Sequence, residues 1–250
     1  MINIKTDAEI KKMRRANQIV AKSLRKLTEM LCENTTTDEL DKVAEELILK
    51  EGAKPSFKGY RGFPNALCVS INEVVVHGIP GKKRLKNGDI VSLDLGAEYE
   101  GYYGDAAITC SVGEVSDEAK RLMKVTREAL YKGIENAKAG NHLSDISNAI
   151  QQMAESAGFS VVTDFVGHGI GTSPHEDPQI PNYGPKGHGP ILKKGMVLAI
   201  EPMVNAGSWQ VNILDDKWTV VTEDGRLSAH FEHSVAITDN GPDILSELTA

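Results

Sequence analysis

Asp94 and Asp105 bound the stretch Asp-Leu-Gly-Ala-Glu-Tyr-Glu-Gly-Tyr-Tyr-Gly-Asp, which lies within two alternating segments around Glu100-Gly101. Period-two alternation predicts two strands, and Glu-Gly is a credible hairpin turn. A turn centred on Tyr99 and Glu100 would set the two aspartates directly opposite each other on one face. Cβ atoms would then stand about 4.5–5.5 Å apart. Ionised carboxylates that close repel unless a cation lies between them. The competing reading is a solvated polar face, since Ser92 alternates with Asp94 and antiparallel sheets often wet one side.

Other residues favour the cation. Glu201 ends Met-Val-Leu-Ala-Ile, a run apolar on both faces, where a carboxylate is costly unless paired or coordinated. His168 lies in Gly-His-Gly-Ile-Gly, whose glycines allow close backbone approach. His175 sits in the rigid turn Ser-Pro-His-Glu-Asp-Pro, and His77 ends the apolar run Val74-Val-Val before Gly-Ile-Pro. Each histidine alone is more often structural than a ligand. Together with Asp94, Asp105, Glu201 and Glu232 they form an oxygen-rich set that suits Mn, Fe(II), Co or Zn. Four acids exceed the needs of one divalent ion but fit two ions about 3.5–4 Å apart, which hold a bridging hydroxide and polarise a carbonyl. Metal-assisted hydrolysis is the reaction class. No motif pairs Cys32, Cys68 or Cys110 with a histidine, so a thiol nucleophile is not supported.

The elements that must position these residues repeat along the chain. Thr6-Asp-Ala-Glu9 has the form of a capping box, followed by apolar residues at helical spacing. Further helices are expected from Thr37-Asp-Glu, from Ser116-Asp-Glu and from Ser144-Asp. Leu85-Lys-Asn-Gly, a strand and Asp94 match Leu192-Lys-Lys-Gly, a strand and Glu201. Asp105-Ala-Ala-Ile-Thr likewise echoes Glu232-His-Ser-Val-Ala-Ile-Thr. Such self-similarity predicts two pseudo-symmetric halves, about 1–113 and 114–250, in one α+β domain built on antiparallel sheet. Val211–Leu214, Trp218–Thr222 and Leu227–Ile237 are expected as an added meander, and Gly184–Pro190 as a surface turn.

Composition sets the outer limits. The 250 residues are 40% apolar and 25% charged, ordinary for a soluble globular protein. A net charge of −7 argues against general affinity for nucleic acid or acidic lipid. No apolar run approaches the ~20 residues that cross a bilayer, and charged residues follow Met1-Ile-Asn-Ile at once. An odd number of cysteines without metal-site spacing implies no disulfide framework, so a reduced, cytoplasmic protein is expected.

The motifs Val-His77-Gly-Ile-Pro, Asp94 with Asp105, Gly-His168-Gly-Ile-Gly with His175-Glu-Asp-Pro, Glu201-Pro-Met and Arg-Leu-Ser-Ala-His-Phe-Glu232-His appear in order. Together they resemble type I methionine aminopeptidases over nearly the whole chain. The resemblance implies the pseudo-symmetric "pita-bread" fold, an antiparallel sheet covered by helices. It implies removal of the initiator methionine from nascent polypeptides when the second residue is small. Asp94 would chelate one metal ion, Asp105 and Glu232 would bridge both, and His168 and Glu201 would hold the other. Glu201 would also carry the proton from the attacking water to the leaving amine. His77 and His175 would contact the scissile amide, and Tyr60, Phe63, Cys68 and Trp218 would form the methionine pocket. A monomer acting on nascent N-termini is expected, with transient ribosome association left open.

Three positions depart from the family pattern: Phe57, Pro174 and His230 stand where some relatives carry Cys, Phe and Gln. Proline-specific exopeptidases of the same fold carry a large domain before the catalytic one, and a capped helix beginning by Thr6 leaves no room for it. Type II methionine aminopeptidases carry an insertion before the glutamate, and His175 to Glu201 is too short for it. A binding protein that has lost catalysis should lack metal ligands, and all five are present.

Overall fold

The computed structural model describes residues 1–247. Reciprocal side-chain caps start the helices. The Thr6 hydroxyl accepts from Glu9 N at 3.3 Å while Glu9 Oε2 accepts from Thr6 N at 2.7 Å, opening α1 (Asp7–Thr28). Thr36 and Glu39 repeat the device at α2 (Thr37–Lys50), and Ser116 caps α3 (Asp117–Asn136). Such caps are each worth about 1 kcal/mol. α4 (Leu143–Ser156) starts one residue before the expected Ser144. His142 is its cap, donating its N–H to Asp145 Oδ2 at 2.9 Å. Ser144 Oγ instead accepts from His188 N at 2.7 Å, and Asp145 Oδ1 accepts from Gly187 N at 2.9 Å. The 184–190 segment is thus a turn fastened to α4.

Strands fill the rest. β1 (Lys54–Pro55), β2 (Leu67–Ile71), β3 (Val74–Val76), β4 (Ile90–Tyr99) and β5 (Tyr102–Ser111) follow α2. After α4 come β6 (Ser160–Val161), β7 (Gly167–Gly169), β8 (Glu176–Ile180), β9 (Val197–Ile200) and β10 (Met203–Asn205). β11 (Val211–Ile213), β12 (Val220–Thr222), β13 (Ser228–His230), β14 (Glu232–Thr238) and β15 (Gly241–Ile244) complete the series. The main sheet runs β1-β4-β5-β14-β9-β7-β8, with β2 also on β4 and β15 also on β14. Every pairing in it is antiparallel.

One face of this sheet is apolar and carries the helices. Leu93 and Leu95 of β4 pack with Ile19, Val20 and Leu24 of α1 and with Leu40 and Ile48 of α2. Leu198 and Ile200 of β9 and Val235 of β14 pack with Leu122 and Leu130 of α3 and Ile150 of α4. Because side chains alternate, the even residues of β4, Ser92, Asp94 and Gly96, point to the other face. That face is not solvated: Ser92 is 2% exposed and lies 2.7 Å from the Thr109 hydroxyl. The polar-surface reading of the Ser92–Asp94 alternation is thereby excluded.

The expected meander is only half present. β11 and β12 form a hairpin, but the third strand of their sheet is β3, brought in from far upstream. The 227–237 run breaks at Phe231 into β13, which pairs with β10, and β14, which joins the main sheet. Long-range pairing thus overrides the local meander.

Candidate active site

The β4–β5 hairpin turns on Glu100 and Gly101, with φ of 51° and 81°, and pairs Tyr99 with Tyr102. Positive φ at both central residues is the two-residue turn whose twist suits a hairpin. The turn lies one residue beyond the Tyr99-Glu100 centre, which corrects the expected register. Asp94 faces Ala107, and Asp105 faces Gly96. The aspartates are therefore diagonal neighbours on one face, two residues out of register, not directly opposed.

Two transverse rows gather the site. The first crosses Cys68, Asp94, Ala107 and Glu232. Glu201 extends it, since β9 pairs Ile200 with His233 and Glu201 is the next residue. The second row crosses Gly96, Asp105, Ala199 and His168, with Ser234 between Asp105 and Ala199. Ser234 Oγ accepts from Asp105 N at 3.3 Å and donates to Asp105 O at 2.9 Å, joining β5 to β14. Glycines make room around His168: a Cβ on Gly167 would meet Ala199 O at 2.4 Å, and one on Gly169 would meet Asp177 O at 2.1 Å.

The buried acids of this arrangement must take up either protons or a cation. Asp105 and Glu232 are 4% and 3% exposed, and the Glu201 side chain is 13% exposed. Burial pushes Asp94 up to about 7 and drives Asp105, Glu201 and Glu232 well above the usual carboxylate range. Asp94 Oδ1, Asp105 Oδ1 and Glu232 Oε1 are buried with no hydrogen-bond partner. His168 Nδ1 lies 2.9 Å from Gly169 O, so by the hydrogen-bond pattern Nδ1 carries the proton and Nε2 a lone pair. Burial holds this imidazole neutral, its pKa lowered to about 3. Its Nε2 stands 3.3 Å from Glu201 Oε1, where one lone pair meets another once the carboxylate is ionised. Asp105, His168 and Glu232 each bring a ligand atom within 4.8 Å of one another. Orphaned oxygens plus a neutral imidazole are the donor set of a divalent ion, so the residues fit one.

Beside these acids lies a cavity of about 140 Å³, lined by all five expected metal ligands, by His77 and His175, and by Tyr60, Phe63, Cys68 and Trp218, but not by Pro174 or His230. Phe63 and Trp218 meet edge to face at 5.1 Å, and Cys68 is 4% exposed, its thiol pKa raised by burial. Tyr60 stacks on His175 at 5.3 Å with the rings 13° from parallel. His77 has φ of 59°, a left-handed conformation that costs a bulky residue on the order of 1–3 kcal/mol and clusters at functional sites. Burial first, then His230 and His175, lowers its pKa to about 4, so it is neutral at pH 7. Phe57 also lines the cavity, whereas Pro174 is buried and lines neither this cavity nor the adjoining cleft. Arg61 lines both, and nothing in its glycine-rich sequence context marks it.

A wider cleft adjoins the cavity and adds Phe165, Val166, Gln179 and Met203. His77, His175, Asp94, His168 and Glu201 line both spaces. The acids and histidines thus stand at the junction between an inner aromatic pocket and an outer cleft.

The sequence pattern of metallopeptidase family M24 matches residues 11–239. The chain belongs to this family. It is 56% identical to a methionine aminopeptidase of Clostridium perfringens, covering 98% of this chain and 99% of that one. It is also 56% identical to methionine aminopeptidase 1 of Bacillus subtilis, covering 99% and 100%. The crystal structure of a Thermotoga maritima methionine aminopeptidase superposes with a TM-score of 0.98 at 51% identity, covering 99% of this chain and all of that chain. A prolidase of Pyrococcus horikoshii gives 0.81 at 26% identity, with 64% of its length covered. The fold is the α+β pita-bread fold of these enzymes, and the relatives named at 56% identity are bacterial methionine aminopeptidases.

Proposed function

We propose that this M24 metallopeptidase is a methionyl aminopeptidase that removes the initiator methionine from nascent polypeptides and peptides, preferring a small second residue. The observation that carries the reading is the junction: buried, orphaned carboxylates sit where an aromatic pocket of one-side-chain size opens into a longer cleft. An exopeptidase needs that layout, one residue inside and the remaining chain outside. Identity of 56% over the whole chain to methionine aminopeptidases supports methionine as that residue.

In this reading five side chains would hold two divalent ions, Co, Mn, Fe(II) or Zn. Asp94 would serve one ion, His168 and Glu201 the other, and Asp105 and Glu232 would be shared. Bound there, the ions would polarise the scissile carbonyl and lower the pKa of the attacking water. Everything else falls to the chain. Tyr60, Phe63, Cys68 and Trp218 take the methionine thioether, a soft group suited to aromatic and sulfur surfaces. His77 and His175, lining both pocket and cleft, hydrogen-bond the scissile amide and the oxygen that becomes negative upon attack. Glu201 accepts the proton of the attacking water and delivers it to the departing amine nitrogen.

The same reading treats residues of about 1–113 and 114–250 as pseudo-symmetric halves of one domain. It is supported by Leu85 and Leu192, each 1% exposed, and by Gly88 and Gly195, with φ of 97° and 87°. Both Leu-Lys-x-Gly turns lead into a strand whose acid joins the site. Among the described residues no helix is long and apolar enough to cross a membrane, and all three cysteines are free. The reading takes the protein to be a cytoplasmic monomer meeting nascent N-termini, with or without transient ribosome contact. The test is hydrolysis of Met-Ala-Ser, Ala-Ala-Ser and Pro-Ala-Ser by metal-stripped protein with each ion added back. Metal-dependent release of methionine alone is expected. Release of proline or alanine at equal rate would overturn the pocket assignment.

A further inference from the structure

His230 is unused in the scheme above, yet it is 2% exposed and its Nε2 has no hydrogen-bond partner. Buried polar nitrogens are rarely left so. The backbone of His230 is held at both of its polar groups. Thr109 Oγ1 accepts from His230 N at 2.9 Å and donates to His230 O at 2.7 Å, gripping the residue by both backbone groups. That hydroxyl has only one proton, so Ser92 Oγ, 2.7 Å away, must be the donor in the contact between them. On the other side β13 pairs with β10, setting His230 opposite Met203, two residues beyond Glu201.

So held, the imidazole points Nε2 at Glu201 Oε2, 3.7 Å away. The other oxygen of the same carboxylate faces His168 Nε2 at 3.3 Å. Glu201 therefore sits between two imidazoles, one per oxygen, and the two have different work. His168 donates its Nδ1–H to Gly169 O and offers a lone pair at Nε2. The unpartnered Nε2 of His230 is the nitrogen that can offer Glu201 a proton. A shift of about 0.8 Å would bring it to ordinary hydrogen-bond length.

We propose that His230 is a positioning residue: its Nε2–H donates to Glu201 Oε2 and fixes the carboxylate so that Oε1 and His168 Nε2 aim at the same cation. This rests on the metal-site reading given under Proposed function. Outer hydrogen bonds to ligating carboxylates orient them, and their loss typically costs about 10–100-fold in metal affinity.

The test is calorimetric titration of metal-stripped protein with Mn(II), together with Co(II) absorption spectra, for wild type, His230→Gln, His230→Asn and His230→Ala. Gln carries an amide N–H near the position of Nε2, whereas Asn carries the same amide one carbon short. His230→Ala and His230→Asn are expected to weaken the ion shared with His168 by about 10–100-fold, and His230→Gln by no more than about threefold. The Co(II) bands of His230→Gln should match wild type. Equal affinity in all four proteins would overturn the proposal. So would a Gln variant as weak as the Ala variant with displaced Co(II) bands, which would make Nε2 itself a ligand. Thermal unfolding of the metal-free forms checks folding, and the Gln/Asn pair keeps the comparison if the Ala variant does not fold. A wild-type protein that binds no ion would fail the metal-site reading first, and this inference with it.

Discussion

The β4–β5 hairpin and the β9–β14 pair deliver the same chemistry by opposite routes. In the first, Asp94 and Asp105 are brought together by a two-residue turn, so their spacing is set by local sequence. In the second, Glu201 and Glu232 stand in one row although 30 residues separate them, including the β11–β12 hairpin. No turn can fix that register. It is held by the β9–β14 ladder, by the β10–β13 pairing and by the Ser234 hydroxyl that ties β14 to β5. A buried acid site can thus be half local and half tertiary, and the tertiary half is the more exposed to damage at a distance.

The comparison predicts a gradient of effects. Glu201→Gln keeps the side chain's shape but removes the proton carrier from the tertiary half. Turnover should fall by about 10²–10⁴-fold with an unchanged circular dichroism spectrum. A rate near wild type would remove Glu201 from the proton path. His77→Ala should lower kcat by about 10²–10³-fold while metal content, measured by emission spectrometry, stays intact. Loss of metal would reassign His77 to the ion.

Titration gives the next effect. Asp94 is raised from 3.8 to about 7 in the metal-free fold, and burial pushes Asp105, Glu201 and Glu232 the same way. With the folded value above the unfolded one, this stability is full below about pH 3.8 and is lost as pH rises through about 7. His77 runs in the opposite sense: lowered from 6.5 to about 4, it contributes above 6.5 and is lost as pH falls through about 4. Burial lowers His168, His175, His230 and His233 in the same sense as His77. The two sets therefore oppose each other below about pH 6.5, and above it the carboxylate loss alone sets the slope of the metal-free protein. Added Mn(II) should reverse the slope, because binding favours the deprotonated ligands. Tm profiles that remain parallel with and without Mn(II) would contradict this.

Smaller effects separate the two routes. Ser234→Ala removes both hydrogen bonds at the seam and should cost about 1–3 kcal/mol, together with a measurable loss of metal affinity. Gly101→Ala strains the positive-φ turn and should cost about 1–2 kcal/mol in urea unfolding while leaving metal affinity unchanged. The reverse assignment of metal loss would mean that the hairpin, not the seam, limits the site.

Much of this was legible in the chain because it is local. The Thr6–Glu9 capping box, the Ser116 cap, the Glu-Gly turn and the strand-then-acid repeat each depend on residues a few positions apart. The misreadings have the same root. One residue of uncertainty in the turn centre changed the partner of Asp94 from Asp105 to Ala107. Ser144 looked like a cap because its carboxylate neighbour Asp145 serves one, but His142 occupies the position. The pairing of β12 with β3, and of β13 with β10, leaves no period in the sequence because it joins segments far apart. Arg61 and the buried setting of His230 were likewise invisible, since only the folded sheet brings either to the acids.

The central claim is that the two rows hold divalent cations. Anomalous diffraction from crystals grown with Mn(II) tests it most directly. Two peaks about 3.5–4 Å apart are expected, one beside Asp94 and one beside His168 and Glu201, with Asp105 and Glu232 between them. Peaks confined to exposed acids, with none in the junction between pocket and cleft, would contradict it.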